Sequence, residues 1–168
     1  KEKMEQYLWD EKTGLFLDYD FRTGRRRNYP FATTYFPLWT GWSTPEQAAR
    51  VWKNGELFLK PGGVVTSTYR SGNQWDSPFG WAPLQMVAAE GLARYGYLRE
   101  ATRIADAFLS LVKQEYEKSG TIVEKYDVVN RTSNVSAGIE YGYSSNEIGF
   151  GWTNAVYLRL KDLKSQTQ

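Results

Sequence analysis

The sequence predicts a mostly helical domain in which consecutive helices form pairs joined by long loops. Apolar residues recur every three or four positions through residues 82–95 and again through residues 98–117. Gly96 separates these two stretches and is typical of a helix stop, so residues 82–117 are expected to form an antiparallel helical hairpin. With 168 residues, of which 41% are hydrophobic, the chain can build one core, and a single domain is expected.

The remaining elements follow from local signals. Thr44, Pro45 and Gln47 form the start signature of a helix, with Thr44 as N-cap, Pro45 in the first helical position and Gln47 closing a capping box. The stretch "LFLDYD" is expected to be a short strand. Six helices in three pairs are expected: residues 2–9, 31–42 and 45–58, the two halves of the 82–117 hairpin, and "GFGWTN" through "AVYLRLKDL".

Two long loops, residues 60–81 and 118–151, precede the second helix of a pair. Both are therefore expected at the same end of the helical array. Long loops inside a compact domain are usually functional or disordered, and the many aromatic residues in these two argue against disorder. The loops hold most of the Gly, Asn and Ser, together with Trp75, Asp76, Glu124, Asp127, Glu140 and Glu147.

Composition excludes several kinds of chemistry. The chain has no cysteine and no histidine, which removes disulfides, thiol nucleophiles, the usual Ser-His triad and most transition-metal sites. Asp and Glu remain as the expected acid-base groups, and no metal or cofactor is expected. The formal net charge of +2 favours neither nucleic acid nor a membrane surface as partner. No apolar run approaches the roughly 18 residues that span a bilayer.

A carboxylate pair beside aromatic rings is what sugar chemistry requires. Tryptophan faces stack on a pyranose, while amides and carboxylates bind its hydroxyl groups. Trp75, between Gln74 and Asp76, fits that description. A buried Trp with an Asp capping a turn is the alternative interpretation of the same residues, and a surface ion pair with Lys125 is the alternative for Glu124. Composition alone therefore predicts only a mostly helical domain with carboxylates and aromatic rings at one end of the helices.

The stretch "QWDSPFGWAP", residues 74–83, resembles the signature Q-W-D-x-P-x-G-W-A-P of the trehalases of glycoside hydrolase family 37. Four other blocks are similar to that family in the same order: "YLWDEKTGLFLDYD", "LKPGGVVTST", "VEKYD" and "IEYGYSSNEIGFGWTNAV". The resemblance extends from about Tyr7 to Leu160. It implies an all-α fold, about half of an (α/α)6 barrel built from helical hairpins, with residues 1–168 as a single unit, the C-terminal half of the catalytic domain.

The resemblance also implies an activity, the inverting hydrolysis of α,α-trehalose to glucose by the complete barrel. In an inverting enzyme, one carboxyl group protonates the linking oxygen and a second activates a water molecule on the opposite face of the sugar. The Glu of the E-K-Y-D block, here Glu124, is implied to be the general base. The implied substrate-binding residues are Gln74, Trp75, Asp76, Glu140 and Phe150.

The sequence departs from the family pattern in three places. The segment S-G-W-D, which holds the general acid of the family, is absent along with the sugar-binding arginines, and Asp76 does not replace the acid. The family signature P-G-G-R-F-x-E-x-Y-x-W-D is also missing. In the lid loop, residues 136–150, "SAGIEY" stands where the family usually has G-G-G-G-E-Y. Fewer glycines predict a stiffer loop, and Ile139 beside Glu140 is expected to alter closure or substrate choice.

Two alternative functions stay open at this stage. One is a related (α/α)6 α-glucosidase that acts on another glucoside, such as glucosylglycerate or an oligosaccharide. The other is a noncatalytic sugar-binding or interaction module. Half a barrel would leave inward-facing apolar residues uncovered, so the expected partners are a small sugar substrate and either the remainder of the barrel or a second copy of the chain. The compartment stays open between periplasmic or secreted and cytoplasmic.

Overall fold

The computed structural model describes residues 1–135 and 139–167. Six α-helices carry the architecture of this part of the chain, and their order confirms the sequence-based prediction. They are α1 (Glu2–Tyr7), α2 (Phe36–Trp39), α3 (Pro45–Gly55), α4 (Ala82–Arg94), α5 (Leu98–Ser119) and α6 (Gly151–Thr167). The helix expected over 31–42 is shorter and begins with a 3-10 turn, Ala32–Tyr35. None of the helices described is both long and apolar enough to cross a bilayer.

The connecting segments form small antiparallel sheets, so the all-α prediction is wrong for them. Strand pairing satisfies backbone groups that these segments would otherwise leave without partners. The strand expected in "LFLDYD" is divided between two of the sheets. The pairs are β1 (Trp9–Asp10) with β2 (Leu15–Phe16), β3 (Tyr19–Asp20) with β4 (Arg25–Arg26), β5 (Leu59–Lys60) with β6 (Gly63–Val64), and β7 (Phe79–Trp81) with β8 (Lys125–Asp127).

Helix α3 begins where the capping signature predicts. The Gln47 backbone N–H donates to Thr44 Oγ1 at 3.1 Å, and the Thr44 backbone N–H donates to Gln47 Oε1 at 2.9 Å. This reciprocal pair satisfies backbone donors that the first turn of a helix leaves open. The α-helix ends at Gly55 rather than at residue 58, because the last three residues tighten into a 3-10 turn, Glu56–Phe58.

Helix α4 is the centre of the core. It packs against α2, α5 and α6, and Ala88, Ala89 and Leu92 on it are fully buried. The turn between α4 and α5 contains Gly96 at φ +85°, a left-handed conformation that glycine adopts without strain. The predicted helical hairpin is therefore confirmed. Glu90 on α4 also accepts hydrogen bonds from Trp39 of α2 and Arg159 of α6, which ties three helices together.

The pairing of β7 with β8 joins the two long loops. Its register sets Phe79 opposite Asp127, Gly80 opposite Tyr126 and Trp81 opposite Lys125. All three residues of each strand are buried, so the pair is part of the core rather than a surface ribbon. The "QWDSPFGWAP" and "VEKYD" blocks, far apart in sequence, therefore lie side by side, as expected for loops at the same end of the helices.

Candidate active site

Glu124 immediately precedes β8 and is buried, with 2% of its surface exposed. Its backbone carbonyl accepts hydrogen bonds from Trp152 Nε1 and Thr153 Oγ1, both at 3.3 Å. Both donors lie in the first turn of α6, so β8 and α6 together fix the position of this residue. The alternative of a surface ion pair is wrong, because the pair with Lys125 exists but is buried.

Both oxygens of the Glu124 carboxylate have partners. Oε1 accepts a hydrogen bond from the Tyr143 hydroxyl group, and Oε2 lies 3.3 Å from Lys125 Nζ. Burial first, and then the hydrogen bond to Glu124 and the charges of Glu124 and Glu147, raise the pKa of Tyr143 to about 12. The phenol therefore stays protonated near neutral pH and donates to the carboxylate.

Lys125 is fully buried, and its ammonium group contacts Tyr143 and Ser145 of the lid loop and Trp81 of β7. Nζ donates to the Ser145 carbonyl oxygen at 2.7 Å. It also lies 4.0 Å from the Tyr143 ring centroid and 5.4 Å from that of Trp81. A buried cation is tolerated only when it is paired and hydrogen-bonded, and Glu124, the Ser145 carbonyl and two aromatic faces meet that requirement.

Aromatic rings form a wall next to this ion pair. Trp75 and Trp81 stack with ring centroids 3.9 Å apart, and Trp152 meets Trp81 edge-on at 5.5 Å. Phe150, half-buried, lies 4.8 Å from Trp152. Trp81 is 1% exposed and Trp75 is 39% exposed. The interpretation of Trp75 as a buried core residue is therefore wrong, since Trp81 has that role and Trp75 presents a ring face to solvent.

Asp76 is buried and receives hydrogen bonds from three hydroxyl groups. Ser67 Oγ donates to its Oδ1 at 2.5 Å, and Tyr29 and Ser71 also donate to the carboxylate. Burial alone would raise the pKa of Asp76, but these hydrogen bonds outweigh it and lower the pKa. The carboxylate thus organises the loop that carries Trp75.

Residues 140–142 of the lid loop lie against the loop that carries Gln74. The backbone N–H groups of Glu140 and Tyr141 donate to the Gly72 carbonyl at 2.8 and 3.1 Å. Gly142 has φ +106°, a conformation that L side chains rarely adopt, and a Cβ there would lie 2.6 Å from Gln74 Nε2, so glycine favours this close approach. Gln74 Oε1 is buried and has no hydrogen-bond partner among the described residues. Glu140 is exposed, while the Ser136–Gly138 part of "SAGIEY" lies outside the described residues.

The sequence-based prediction did not identify three residues of this site. It named Lys125 only as a surface partner of Glu124, and it did not name Tyr143 or Asn146. The Asn146 side-chain amide contacts the backbone of Lys125 twice, accepting from its N–H at 3.0 Å and donating to its carbonyl at 2.9 Å. It also donates to the Ser133 carbonyl at 2.8 Å. The only signal in the sequence was the position of Lys125 next to Glu124. No periodic pattern marks a residue such as Asn146, whose side chain pairs with a distant backbone segment.

The arrangement suits proton transfer beside a stacking surface. A buried, anchored carboxylate can accept a proton, and the exposed face of Trp75 can hold a ring-shaped ligand. Among the described residues, no group of three or more Asp and Glu side chains is placed to hold a metal ion. A groove of about 860 Å³ lies between α3 and α5 and is lined by residues that include Trp52, Leu98 and Arg103. None of the candidate site residues lines it, so we assign it no role in this chemistry.

Comparisons with known proteins agree on one family. Residues 1–164 match the model of the family described as Trehalase. The chain is 40% identical to the cytosolic neutral trehalase of Kluyveromyces lactis, covering 94% of this chain and 23% of that protein. It is 42% identical to the periplasmic trehalase of Salmonella agona, covering 95% of this chain and 28% of that protein. The chain thus spans about a quarter of the length of the curated relatives it matches.

A solved structure shows the same relationship. The neutral trehalase Nth1 from Saccharomyces cerevisiae superposes with a TM-score of 0.80 at 36% identity, covering 96% of this chain and 28% of that one. The mostly helical fold thus matches part of the (α/α)6 barrel of trehalases, with small sheets in the loops. The family match over nearly the whole chain, the identity to curated trehalases and this superposition lead to one conclusion: the chain belongs to the trehalase family of glycoside hydrolases.

Proposed function

We propose that this chain is part of an inverting glycosidase that hydrolyses α,α-trehalose to glucose, with Glu124 as the general base. The observation that carries the proposal is the Glu124 carboxylate, which is buried, anchored on both oxygens and linked through Lys125 and Trp81 to the exposed face of Trp75. Membership of the trehalase family supports trehalose as the substrate.

In the proposed reaction, Glu124 takes a proton from a water molecule whose oxygen attacks the anomeric carbon. The bond from that carbon to the linking oxygen breaks, and the linking oxygen takes its proton from a general acid. In the trehalase family that acid lies in an S-G-W-D segment, which is absent from this sequence. We assign the acid to another stretch of polypeptide, facing Glu124 at the roughly 6.5–9.5 Å separation of carboxyl groups that leaves room for water.

The proposed sugar contacts use the exposed Trp75 ring, the exposed Glu140 carboxylate and the buried Gln74 Oε1. The outer face of Trp75 stacks on the pyranose, and Phe150 extends the apolar wall. Gln74 Oε1, which lacks a partner among the described residues, accepts a hydrogen bond from a sugar hydroxyl. Glu140, on the lid loop, is exposed, and its carboxylate accepts a hydrogen bond from another sugar hydroxyl. Asp76, held by three hydroxyl groups, contributes mainly by fixing Trp75.

We also propose that residues 1–168 form a single unit that supplies about half of an (α/α)6 barrel. Large apolar side chains remain exposed on helices and turns, including Trp42, Leu57, Leu98 and Leu158. A contiguous exposed apolar patch marks an interface, and the proposal takes these side chains to contribute to one. The remainder of the barrel, or a second copy of the chain, is proposed to cover it, with the active site completed by the covering segment.

The stereochemistry of the products tests this proposal. In the full-length protein, inverting hydrolysis of α,α-trehalose releases one β-glucose from the attacked ring and one α-glucose from the departing ring. Proton NMR in the first minutes should show both anomers in equal amounts. Release of α-glucose alone would contradict inversion. Turnover of glucosylglycerate with no turnover of trehalose would favour the related glucosidase, and sugar binding without turnover of either would favour a noncatalytic module.

A further inference from the structure

The Glu124 carboxylate needs more than burial to act as a base. The terminal torsion of a glutamate side chain is broad, so its two oxygens can rotate through a wide range of orientations. Water must meet one particular lone pair for proton transfer to be efficient. Hydrogen-bond donors on both oxygens restrict that rotation, and each oxygen keeps a second lone-pair direction for water.

Tyr143 donates the hydrogen bond that restrains Glu124 Oε1, and its ring covers Lys125, which restrains Oε2. Its hydroxyl group donates to Glu124 Oε1, while its ring lies 4.0 Å from Lys125 Nζ, the group that holds Oε2. Tyr143 itself is 45% exposed, whereas Glu124 and Lys125 are 2% and 0% exposed. The tyrosine therefore covers the ion pair from the solvent side.

The neighbours of Tyr143 fix it in this place. The Ser145 carbonyl accepts from Lys125 Nζ at 2.7 Å, and the Asn146 amide brackets the backbone N–H and carbonyl of Lys125 at 3.0 and 2.9 Å. These three contacts attach the lid loop to β8 within three residues of Tyr143. The phenol can reach Glu124 only when this part of the lid loop lies on β8.

We infer that Tyr143 is a positioning residue for Glu124: it orients the carboxylate for proton transfer when residues 143–146 lie on β8. This inference rests on the proposed role of Glu124 as general base. The charged groups that face this pair are Lys125 from β8 and Glu147 from the lid loop.

The test is Tyr143→Phe in the full-length protein, which removes one oxygen atom and keeps the ring over Lys125. We expect kcat for trehalose to fall on the order of tenfold, because a hydrogen bond to a charged group is lost, with KM within about twofold. Tyr116→Phe, which removes the hydroxyl of an exposed tyrosine on α5, is the matched control and should change neither quantity.

The outcomes separate this inference from the proposed function. A raised KM with unchanged kcat would show that Tyr143 binds sugar instead of positioning Glu124, and would overturn the inference. An unchanged kcat with an unchanged KM would also overturn it. If Glu124→Gln abolishes turnover while Tyr143→Phe has no effect, only the inference fails. If Glu124→Gln keeps full activity, the proposed function fails, and the inference with it.

Discussion

Trp75 and Trp81 lie face to face, with ring centroids 3.9 Å apart and planes inclined by only 6°. Trp81 belongs to the buried strand β7, and its indole N–H donates to the Gln74 carbonyl at 2.9 Å. Trp75 lies on the outer side of the stack. The buried ring therefore acts as a fixed support that orients the exposed ring, and rigid aromatic faces are well suited to binding a sugar.

Replacing each ring should separate binding from stability. Trp75→Ala is expected to raise KM for trehalose at least severalfold while changing the melting temperature by only a few degrees. Trp81→Ala, the matched control, should cost about 3–5 kcal/mol of unfolding free energy, because it leaves a cavity in the core. Steady-state kinetics and thermal denaturation of the full-length protein measure both. A Trp75→Ala protein with normal KM and a strongly lowered melting temperature would make Trp75 a structural residue.

The start of α3 offers a test of the local energetics. Thr44→Ala removes the side-chain acceptor of the capping box and should destabilise the protein by about 1 kcal/mol. Thr44→Ser keeps the oxygen and should cost less than about half of that. Urea denaturation with both variants makes the comparison. Equal losses for alanine and serine would show that the methyl group, rather than the hydrogen bond, matters at this position.

Glu115 on α5 should make stability depend on pH. Burial opposes its ionisation, but hydrogen bonds from Lys118, Ser133 and Gln114 outweigh burial and lower its pKa from 4.5 to about 2. A lowered folded-state pKa stabilises the fold above about pH 4.5, and this stabilisation disappears as the pH falls towards 2. Its size is on the order of 3 kcal/mol.

The comparison of Glu115→Gln with Glu117→Gln isolates this contribution. Glu117 lies on the same helix and forms an exposed ion pair with Lys113. We expect the stability of the Glu115 variant to fall less steeply between pH 4.5 and pH 2 than that of the unchanged protein, and the Glu117 variant to keep the full dependence. Chemical denaturation at several pH values gives the curves. Parallel curves for the two variants would show that other carboxyl groups control the acid transition.

The helices were predictable because their signals are local. Thr44 and Gln47 are three residues apart, and Gly96 marks its helix end by its own conformational freedom. The pairing of Trp81 with Lys125 is different, since three-residue strands carry too little pattern to predict and depend on contact between distant loops. Sequence reasoning therefore placed the loops at one end of the helices and missed the sheet that joins them.

The candidate site shows the same division. The family resemblance singled out Glu124 and Trp75, whereas sequence alone left open that Glu124 was a surface residue and Trp75 a core residue. Tyr143 and Asn146 gave no signal, because each contacts the Glu124–Lys125 segment across a distance in sequence that no local pattern reveals. Their roles depend on where the lid loop rests, which is a tertiary property.

The most direct test of the account is kcat for trehalose in a Glu124→Gln variant of the full-length protein, with Glu117→Gln as control. Glutamine keeps the size of the side chain but cannot take a proton from water. The account predicts a fall in kcat of about a thousandfold or more, with sugar affinity and melting temperature nearly unchanged and the control fully active. A Glu124→Gln enzyme with near-normal kcat would contradict the assignment of Glu124 as the general base.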